Sequence, residues 1–531
     1  MNYNLLYGML ACFLMVTALM GYLGYRHTKS SKDYLIAGGN VHPVLMALAY
    51  GSTFISTSAI VGFGGAAGVY GMSLLWLTFF NIFVGIFIAF VFFGLKTRAL
   101  AHTLHVQTFP EFLGARFKSP FIRRFSAGII SLTMPLYAAA IMIGGARYME
   151  EALAMDYTTA VIIFALIVLG YVFFGGLRGV IYNDSFQSGI MFLGMATLVV
   201  LTYIELGGIT TAHTKLTALT HLVPAALAAK GHLGWASMPA FGSEMWWFVI
   251  STLVLGVGIG VLAQPQLAVR YMTVASSKDL YRALGVGAVF ILFMTGVAFT
   301  VGALTNVFFV EQTGQIALAA TAVAGAKANV DKIIPLFIAQ AMPEWLRYLF
   351  LFTLLSAAMS TLSGQFHMIS TSISYDLNPN KDRSDKRILS LARIGTVIGF
   401  ILTIALALLL PPGIIAVATA LFFGFCASAF LPMYTAALYW PRVTPAGATW
   451  SMLTATVTYL SLVLFVHEKE ATIFGVCKQF FGVNTLAAAP WTYIDPLVIT
   501  LPISAVVLWA VSIATVQTAS VSETIVALEK D

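Results

Sequence analysis

The sequence predicts an all-α integral membrane protein with thirteen transmembrane helices, on three observations. Of 531 residues, 59% are hydrophobic and only 9% charged, where a soluble globular protein carries about 25% charged residues. Too few solvated side chains exist to cover even two ordinary domains, so most of the surface faces lipid and a soluble enzyme is excluded. Second, apolar runs of about 20 residues, the length of a bilayer crossing, recur along the chain. Third, basic residues gather in alternate connectors, as loops held on one side of a membrane do.

Runs bounded by charges, Gly or Pro place the spans at 4–25, 43–70, 74–95, 125–146, 157–174, 181–205, 244–264, 284–309, 348–374, 388–410, 412–439, 446–466 and 494–514. Only Pro411, Pro412 and Gly413 separate the tenth from the eleventh. No basic residue precedes the first run, while Arg26, Lys29 and Lys32 follow it, so it reads as a retained helix with its N-terminus outside. On that orientation most of the 28 Lys and Arg fall inside, and the C-terminus is cytoplasmic. The formal charge of +7 then reflects topology, and no nucleic-acid partner is implied. The stretches 206–243, 310–347 and 467–493 lie outside. The segment 375–387, with Lys381, Asp382, Arg383, Asp385, Lys386 and Arg387, is an inner, solvated connector. Nothing resembles a separate soluble or output domain. Cys12, Cys426 and Cys477 are far apart and imply neither a disulfide framework nor a metal site.

Two spans interrupted at corresponding places in two halves are the sequence pointer to a transporter's binding site. The second span reads AYGSTFISTSAIVGFGGAAGVYG (49–71) and the seventh STLVLGVGIGVLAQPQ (251–266). Five spans begin with each, and five is odd, so the second set is inverted relative to the first. Residues 1–42 then hold an extra helix and inner loop, 43–243 and 244–440 the two repeats, and 441–531 two final helices and a cytoplasmic tail. Ser52, Thr53, Ser56, Thr57 and Ser58, followed by Gly62, Gly64, Gly65 and Gly68, make a poor continuous lipid-facing helix. Unwound carbonyls there are hard oxygen ligands suited to a small cation. The bland alternative is close helix packing, since Gly64/Gly68 and Gly256/Gly260 both fit a small-xxx-small pattern. Residues 62–67 also match a dinucleotide fingerprint, but no strand-to-helix turn surrounds them.

Five motifs now carry a resemblance. DYLIAGGN (33–40), TFPEFLGARF (108–117), GGLRGVIYNDSFQ (175–187), AVRYMTVASSKD (268–279) and LLSAAMSTLSGQ (354–365) together resemble the sodium:solute symporter family, which has a leucine-transporter-like 5+5 core. The pantothenate and monocarboxylate branch is the most similar. The resemblance implies a sodium ion held by the carbonyls of Ser52, Ile55 and Ala357 with the hydroxyls of Ser360 and Thr361. It implies a place for Asp184 on the sodium exit path, where the competing role is partner to Arg178. It implies no cofactor, sodium being a co-transported ligand, no obligate protein partner, and the cytoplasmic membrane of a prokaryote. Neutral oxygens suit the task, since they strip a hydration shell without a charge that would trap the ion. The plain alternative is that each hydroxyl bonds the carbonyl one turn earlier.

Some members carry an acidic or amide residue where this chain has Phe54, which weakens the case for an amine or zwitterion. A small organic carboxylate such as pantothenate or a monocarboxylate is the expected solute, taken up with sodium by alternating access. Candidate solute contacts are Tyr50, Thr53, Phe54, Thr57, Arg147, Gly258 and Gln264, with Arg147 alternatively paired to Glu150 or Glu151. Rival readings are a carrier of proline or a sugar, and a proton-coupled carrier using Asp184 or His367. A membrane enzyme lacks the clustered His, Asp, Glu or Cys it needs within the spans.

Overall fold

The computed structural model describes residues 3–322, 327–378, 385–411 and 413–516. Lys381, Asp382 and Arg383 of the inner connector, Pro412, and the tail from 517 lie outside the described residues. Among the described residues every regular element is helical. Eleven helices are long and apolar enough to cross a bilayer, and two shorter apolar helices, Pro43–Phe54 and Tyr157–Gly170, accompany them. Each expected span has helical backbone beneath it. The count of long helices is lower because the second span is cut in two and the fifth is short. The fifth and sixth spans are two helices within Tyr157–Glu205 that meet at a kink at Gly176, where φ is 56° and ψ −171°. A Cβ there would stand 2.7 Å from the Tyr34 ring, so backbone conformation and packing both demand glycine.

Helix starts follow local chemistry. Ser30, Thr108, Ser119, Ser276 and Thr444 each accept a backbone N–H of the first turn, and Asp33 completes a capping box with Ser30. Two of these caps, Thr108 and Ser276, belong to the family-like motifs, which also tie one face of the bundle together. Arg178 reaches Asp33 at 3.3 Å and donates to the Ala37 carbonyl at 2.9 Å. Burial works to raise the Asp33 pKa, but hydrogen bonds from Ser30 and the Lys29 amide, with the Arg178 charge, prevail and hold it below the usual carboxylate value. Arg123 joins Glu111 at 3.1 Å and Asp376 at 2.8 Å.

The most enclosed span is 344–376, with 94% of its central stretch buried, against 22% for the first span. A helix surrounded on all sides by protein can carry Ser and Thr without exposing them to lipid.

The second span breaks where the hydroxyls cluster, not at the glycines. Helix Pro43–Phe54 ends at Ile55, which is extended (φ −88°, ψ 94°), and helix resumes after Ser56. Gly62, Gly64, Gly65 and Gly68 are helical and serve packing. A Cβ on Gly65 would lie 2.3 Å from the Val330 carbonyl, and one on Gly302 2.1 Å from the Gly64 carbonyl. The seventh span likewise stays helical through Gly256, Gly258 and Gly260, and interrupts only at Gln264 (ψ 115°) before helix Pro265–Tyr271. Its glycines admit Phe80 and Phe423, whose atoms a Cβ would meet at 2.8 and 2.6 Å. Close packing therefore accounts for the second-span glycines and for Gly258 and Gly260, whereas a Cβ on Gly256 would meet nothing nearer than 3.5 Å. Gly302→Ala is expected to destabilise the protein by about 1–3 kcal/mol through overpacking. Tryptophan-fluorescence melts of the purified protein would read this, and an unchanged midpoint would contradict the contact.

Candidate functional site

The broken helix brings its last turn against the middle of span 344–376. Ser360 Oγ donates to the Ser52 carbonyl at 2.9 Å, and Thr361 Oγ1 reaches the same oxygen at 3.3 Å. The two hydroxyls also reach the Ala357 carbonyl, at 3.2 and 3.0 Å. The ordinary back-bond to the preceding turn is thus made, and a second set of contacts crosses about 300 residues of sequence. Four oxygens gather at one point, two carbonyl and two hydroxyl, and Ser52, Ala357, Ser360 and Thr361 are all fully buried. Ile55 lies three residues beyond Ser52, at the break itself. Neutral oxygens in such a cluster suit a monovalent cation.

Next to this cluster lies a buried ion pair. Asp184 and Arg270 are 0% and 1% exposed, and Arg270 Nη2 stands 2.8 Å from Asp184 Oδ2. Thr53 donates to Asp184 Oδ2 at 3.2 Å and to the Ser360 carbonyl at 3.3 Å, and it also accepts from Arg270 Nη2. Ser363 donates to Asp184 Oδ1 at 3.2 Å. Four segments meet here: the broken helix, the sixth span, the short helix after the seventh, and the ninth. The partner of Asp184 is Arg270, while Arg178 serves Asp33. Nε and Nη1 of Arg270 have no protein acceptor among the described residues.

A third feature opens on the other side of the break. A cavity of about 20 Å³ is lined by Phe54, Ile55, Ser56, Asn81, Tyr137 and Thr419, among others. That is room for about one water molecule. Its lining holds no charged side chain. Asn81 is 2% exposed, and among the described residues its Oδ1 has no hydrogen-bond partner, so a buried acceptor is left to be satisfied.

Of the seven candidate solute contacts, the structure puts Phe54 on this cavity and the other six elsewhere. Tyr50 donates to the Gly85 carbonyl at 3.0 Å and meets the Tyr271 hydroxyl at 3.3 Å. Thr53 belongs to the Asp184–Arg270 network. Thr57 donates to the Ile141 carbonyl at 2.7 Å. Arg147 pairs with Glu150 at 2.8 Å and lies 3.8 Å over the Tyr157 ring. Gly258 packs on Phe80, and Gln264 donates to the Gly260 carbonyl at 3.3 Å while accepting from Gln266 at 2.9 Å. His367 is buried against Tyr34, with Nε2 3.4 Å from the Leu35 carbonyl.

Sequence reasoning missed Arg270, although it sits in the AVRYM motif. An arginine just past the end of a span ordinarily lies at the interface, and only the fold buries it. Asn81 was also missed. Its signal was available: an amide within an apolar run is costly enough to mark a site by default.

A helix interrupted inside the bundle, with freed carbonyls facing hydroxyls from a distant span, is the architecture of a secondary transporter. The chain belongs to the sodium:solute symporter family, whose profile matches residues 34–455. It is therefore an integral, multi-pass membrane protein of a class that moves sodium together with a small organic solute, and not an enzyme. The sodium/pantothenate symporter of Haemophilus influenzae is 27% identical over 467 residues, covering 85% of this chain and 90% of that protein. The osmoregulated proline transporter OpuE of Bacillus subtilis is 26% identical, covering 89% and 91%. The sodium/proline symporter of Escherichia coli is 25% identical, covering 83% and 84%. A solved sodium-coupled sialic acid symporter in a substrate-bound, outward-open state has a TM-score of 0.76 at 17% identity, covering 98% of this chain and 99% of that one. That likeness shows the fold.

Proposed function

We propose that this protein couples inward movement of sodium to uptake of a small organic carboxylate by alternating access. Thirteen spans in two inverted sets of five, with one helix before and two after, would lie in the cytoplasmic membrane of a prokaryote with the N-terminus outside and the C-terminus inside. The repeats occupy 43–243 and 244–440. The observation that carries the reading is the meeting of Ser360 Oγ and Thr361 Oγ1 with the Ser52 carbonyl. Sodium takes those oxygens, with the carbonyls of Ala357 and Ile55, as its ligands. Binding exchanges direct hydroxyl–carbonyl bonds for bonds to the ion and so holds the broken helix against span 344–376. The cavity beside the break is then completed for solute, and cooperativity arises because both ligands favour one assembled state.

Asp184 and Arg270 close the path on the inner side, and release requires that this pair let go of Thr53 and Ser363. The energy comes from the sodium gradient and, for net charge moved, from the membrane potential at about 2.3 kcal/mol per charge per 100 mV.

A carboxylate is favoured by a cavity wall without any acidic side chain, by Phe54 where the family resemblance implies an acid or amide in some members, and by the pantothenate relative. The proline relatives favour a zwitterion, whose ammonium would find on the same wall the Asn81 amide oxygen and hydroxyls but no carboxylate. Sodium-jump uptake in proteoliposomes, screening pantothenate, acetate, pyruvate, lactate, proline and a sugar, tests the reading. Sodium-driven uptake of a carboxylate is expected, and uptake of proline or sugar alone would overturn it. Asn81→Leu is expected to raise the half-saturating concentration of a solute that carries a hydroxyl or amide donor about tenfold, the value of one hydrogen bond to Asn81 Oδ1 near 1.4 kcal/mol, with the sodium requirement unchanged. Initial uptake rates over a solute series read it.

A further inference from the structure

On the face that carries the long segments 206–243 and 467–493, a cleft of about 530 Å³ opens above the broken helix. That volume lies in the ordinary range of small-molecule sites, roughly 300–1,000 Å³. Its walls include Tyr70, Phe248 and Val417, and the segment that covers it contributes Lys469 and Tyr493. Lys469 Nζ lies 2.9 Å from the centroid of the Phe248 ring and 3.4 Å from the Tyr70 hydroxyl. No carboxylate comes within ion-pair distance of it among the described residues. Of the neighbouring charges, Lys230 pairs with Glu244 at 2.6 Å and His467 pairs with Glu470, while Glu468 lines the same cleft. Glu468 is exposed at the rim. Burial pushes the Lys469 ammonium down to about 7, against the opposing pull of Glu470, Glu244 and Glu468. The cleft therefore presents the Lys469 ammonium on aromatic faces, with no carboxylate at ion-pair distance among the described residues.

The same three elements line the cavity at the break. Helix Phe63–Tyr70 puts Phe63 on the cavity and Tyr70 in the cleft, a separation of about 10 Å along the helix axis. The seventh span contributes Val257 below and Phe248 above, and the eleventh Thr419 below and Val417 above. The cleft thus stands directly over the route to the cavity.

We infer that this cleft is a waiting site for an organic carboxylate, held by Lys469 with its apolar body on Tyr70 and Phe248, before the solute descends to the cavity. The inference deepens the carboxylate-uptake reading and rests on it for the solute class and for which face is outer. The Lys469 ammonium repels sodium, so its removal is expected to act on the solute and not on the ion.

The test uses butyrate as probe and butyramide as its neutral counterpart, on full-length protein in proteoliposomes. Sulfo-N-hydroxysuccinimidyl acetate, which does not cross membranes, is added outside, and acetylation at Lys469 is followed by mass spectrometry with exposed Lys478 as control. Butyrate is expected to slow acetylation of Lys469 at least fivefold, butyramide to leave it unchanged, and Lys478 to be unaffected by either. The protecting concentration is expected to be the same in Asn81→Leu protein. Lys469→Gln is expected to raise the half-saturating butyrate concentration for sodium-driven uptake about tenfold at unchanged maximal rate and sodium requirement, and Lys469→Arg to restore it to within threefold. Equal acetylation with and without butyrate overturns the inference, as does protection that shifts in step with Asn81→Leu or a Lys469→Gln protein with unaltered half-saturation. Butyrate uptake without protection sinks the waiting site alone. Protection without uptake keeps the site and sinks the carboxylate-transport reading.

Discussion

Asp184→Asn is expected to destabilise the purified protein by about 3–5 kcal/mol, the loss that follows when one partner of a buried ion pair is removed. The Arg270 guanidinium is 1% exposed and, among the described residues, makes its hydrogen bonds through Nη2 alone, to Thr53 and Asp184. Arginine does not shed its proton in proteins, so the charge would stay, buried and uncompensated. Arg270→Gln is expected to cost less, because a lone buried carboxylate can neutralise itself by taking up a proton. The double variant should lie closer to the parent than Asp184→Asn does, since replacing both charges removes the desolvation penalty along with the attraction. Thermal melts of the four proteins complete the cycle, and additive losses would show that the two side chains do not act as a pair. Sodium-driven uptake separates stability from function: a double variant that melts like the parent yet fails to transport assigns the pair to the ion path.

That pair also shows where legibility in the sequence ended. The spans were readable because hydropathy is local: about 20 apolar residues must cross lipid whatever their neighbours are. The break in the second span was readable too, from the hydroxyls between Ser52 and Ser58. The glycines beside it were ambiguous. An absent side chain looks the same in sequence whether the chain unwinds or another backbone approaches, and only Val330, Ile334 and Gly302, more than 200 residues away, decide for packing. Arg270 and Asp184 are 86 residues apart, in segments whose patterns do not refer to one another. Of the cavity lining, Phe54 stands among the expected solute contacts and Ile55 among the expected sodium ligands, and the rest was illegible because which side chains share a cavity depends on how distant helices face one another. Hydroxyl positions in span 344–376 were recoverable only through the family resemblance, since a Ser or Thr in an apolar helix ordinarily bonds its own preceding turn.

Thr361→Ala is expected to raise the sodium concentration that half-saturates uptake about tenfold, and Ser360→Ala by a similar factor, while leaving the fold intact. Removing a ligand oxygen from a cation removes a charge-assisted contact worth roughly 1.5–3 kcal/mol, partly offset where water fills the place. A tenfold shift corresponds to about 1.4 kcal/mol, the low end of that range. The fold tolerates the loss because each hydroxyl donates to the Ser52 and Ala357 carbonyls, and Ala removes the donor without leaving a charge behind. Ser363→Ala is the informative contrast. Ser363 donates to Asp184 at 3.2 Å and to the Ser360 carbonyl at 2.9 Å, so its removal loosens the ion-pair network without taking an oxygen from the Ser52 cluster. It should alter maximal rate more than sodium affinity. Uptake measured over a sodium series at saturating solute distinguishes the three variants. A sodium requirement that moves with Ser363→Ala but not with Thr361→Ala would shift the ion from the Ser52 carbonyl to the Asp184 carboxylate, and with it the coupling from neutral oxygens to a fixed charge.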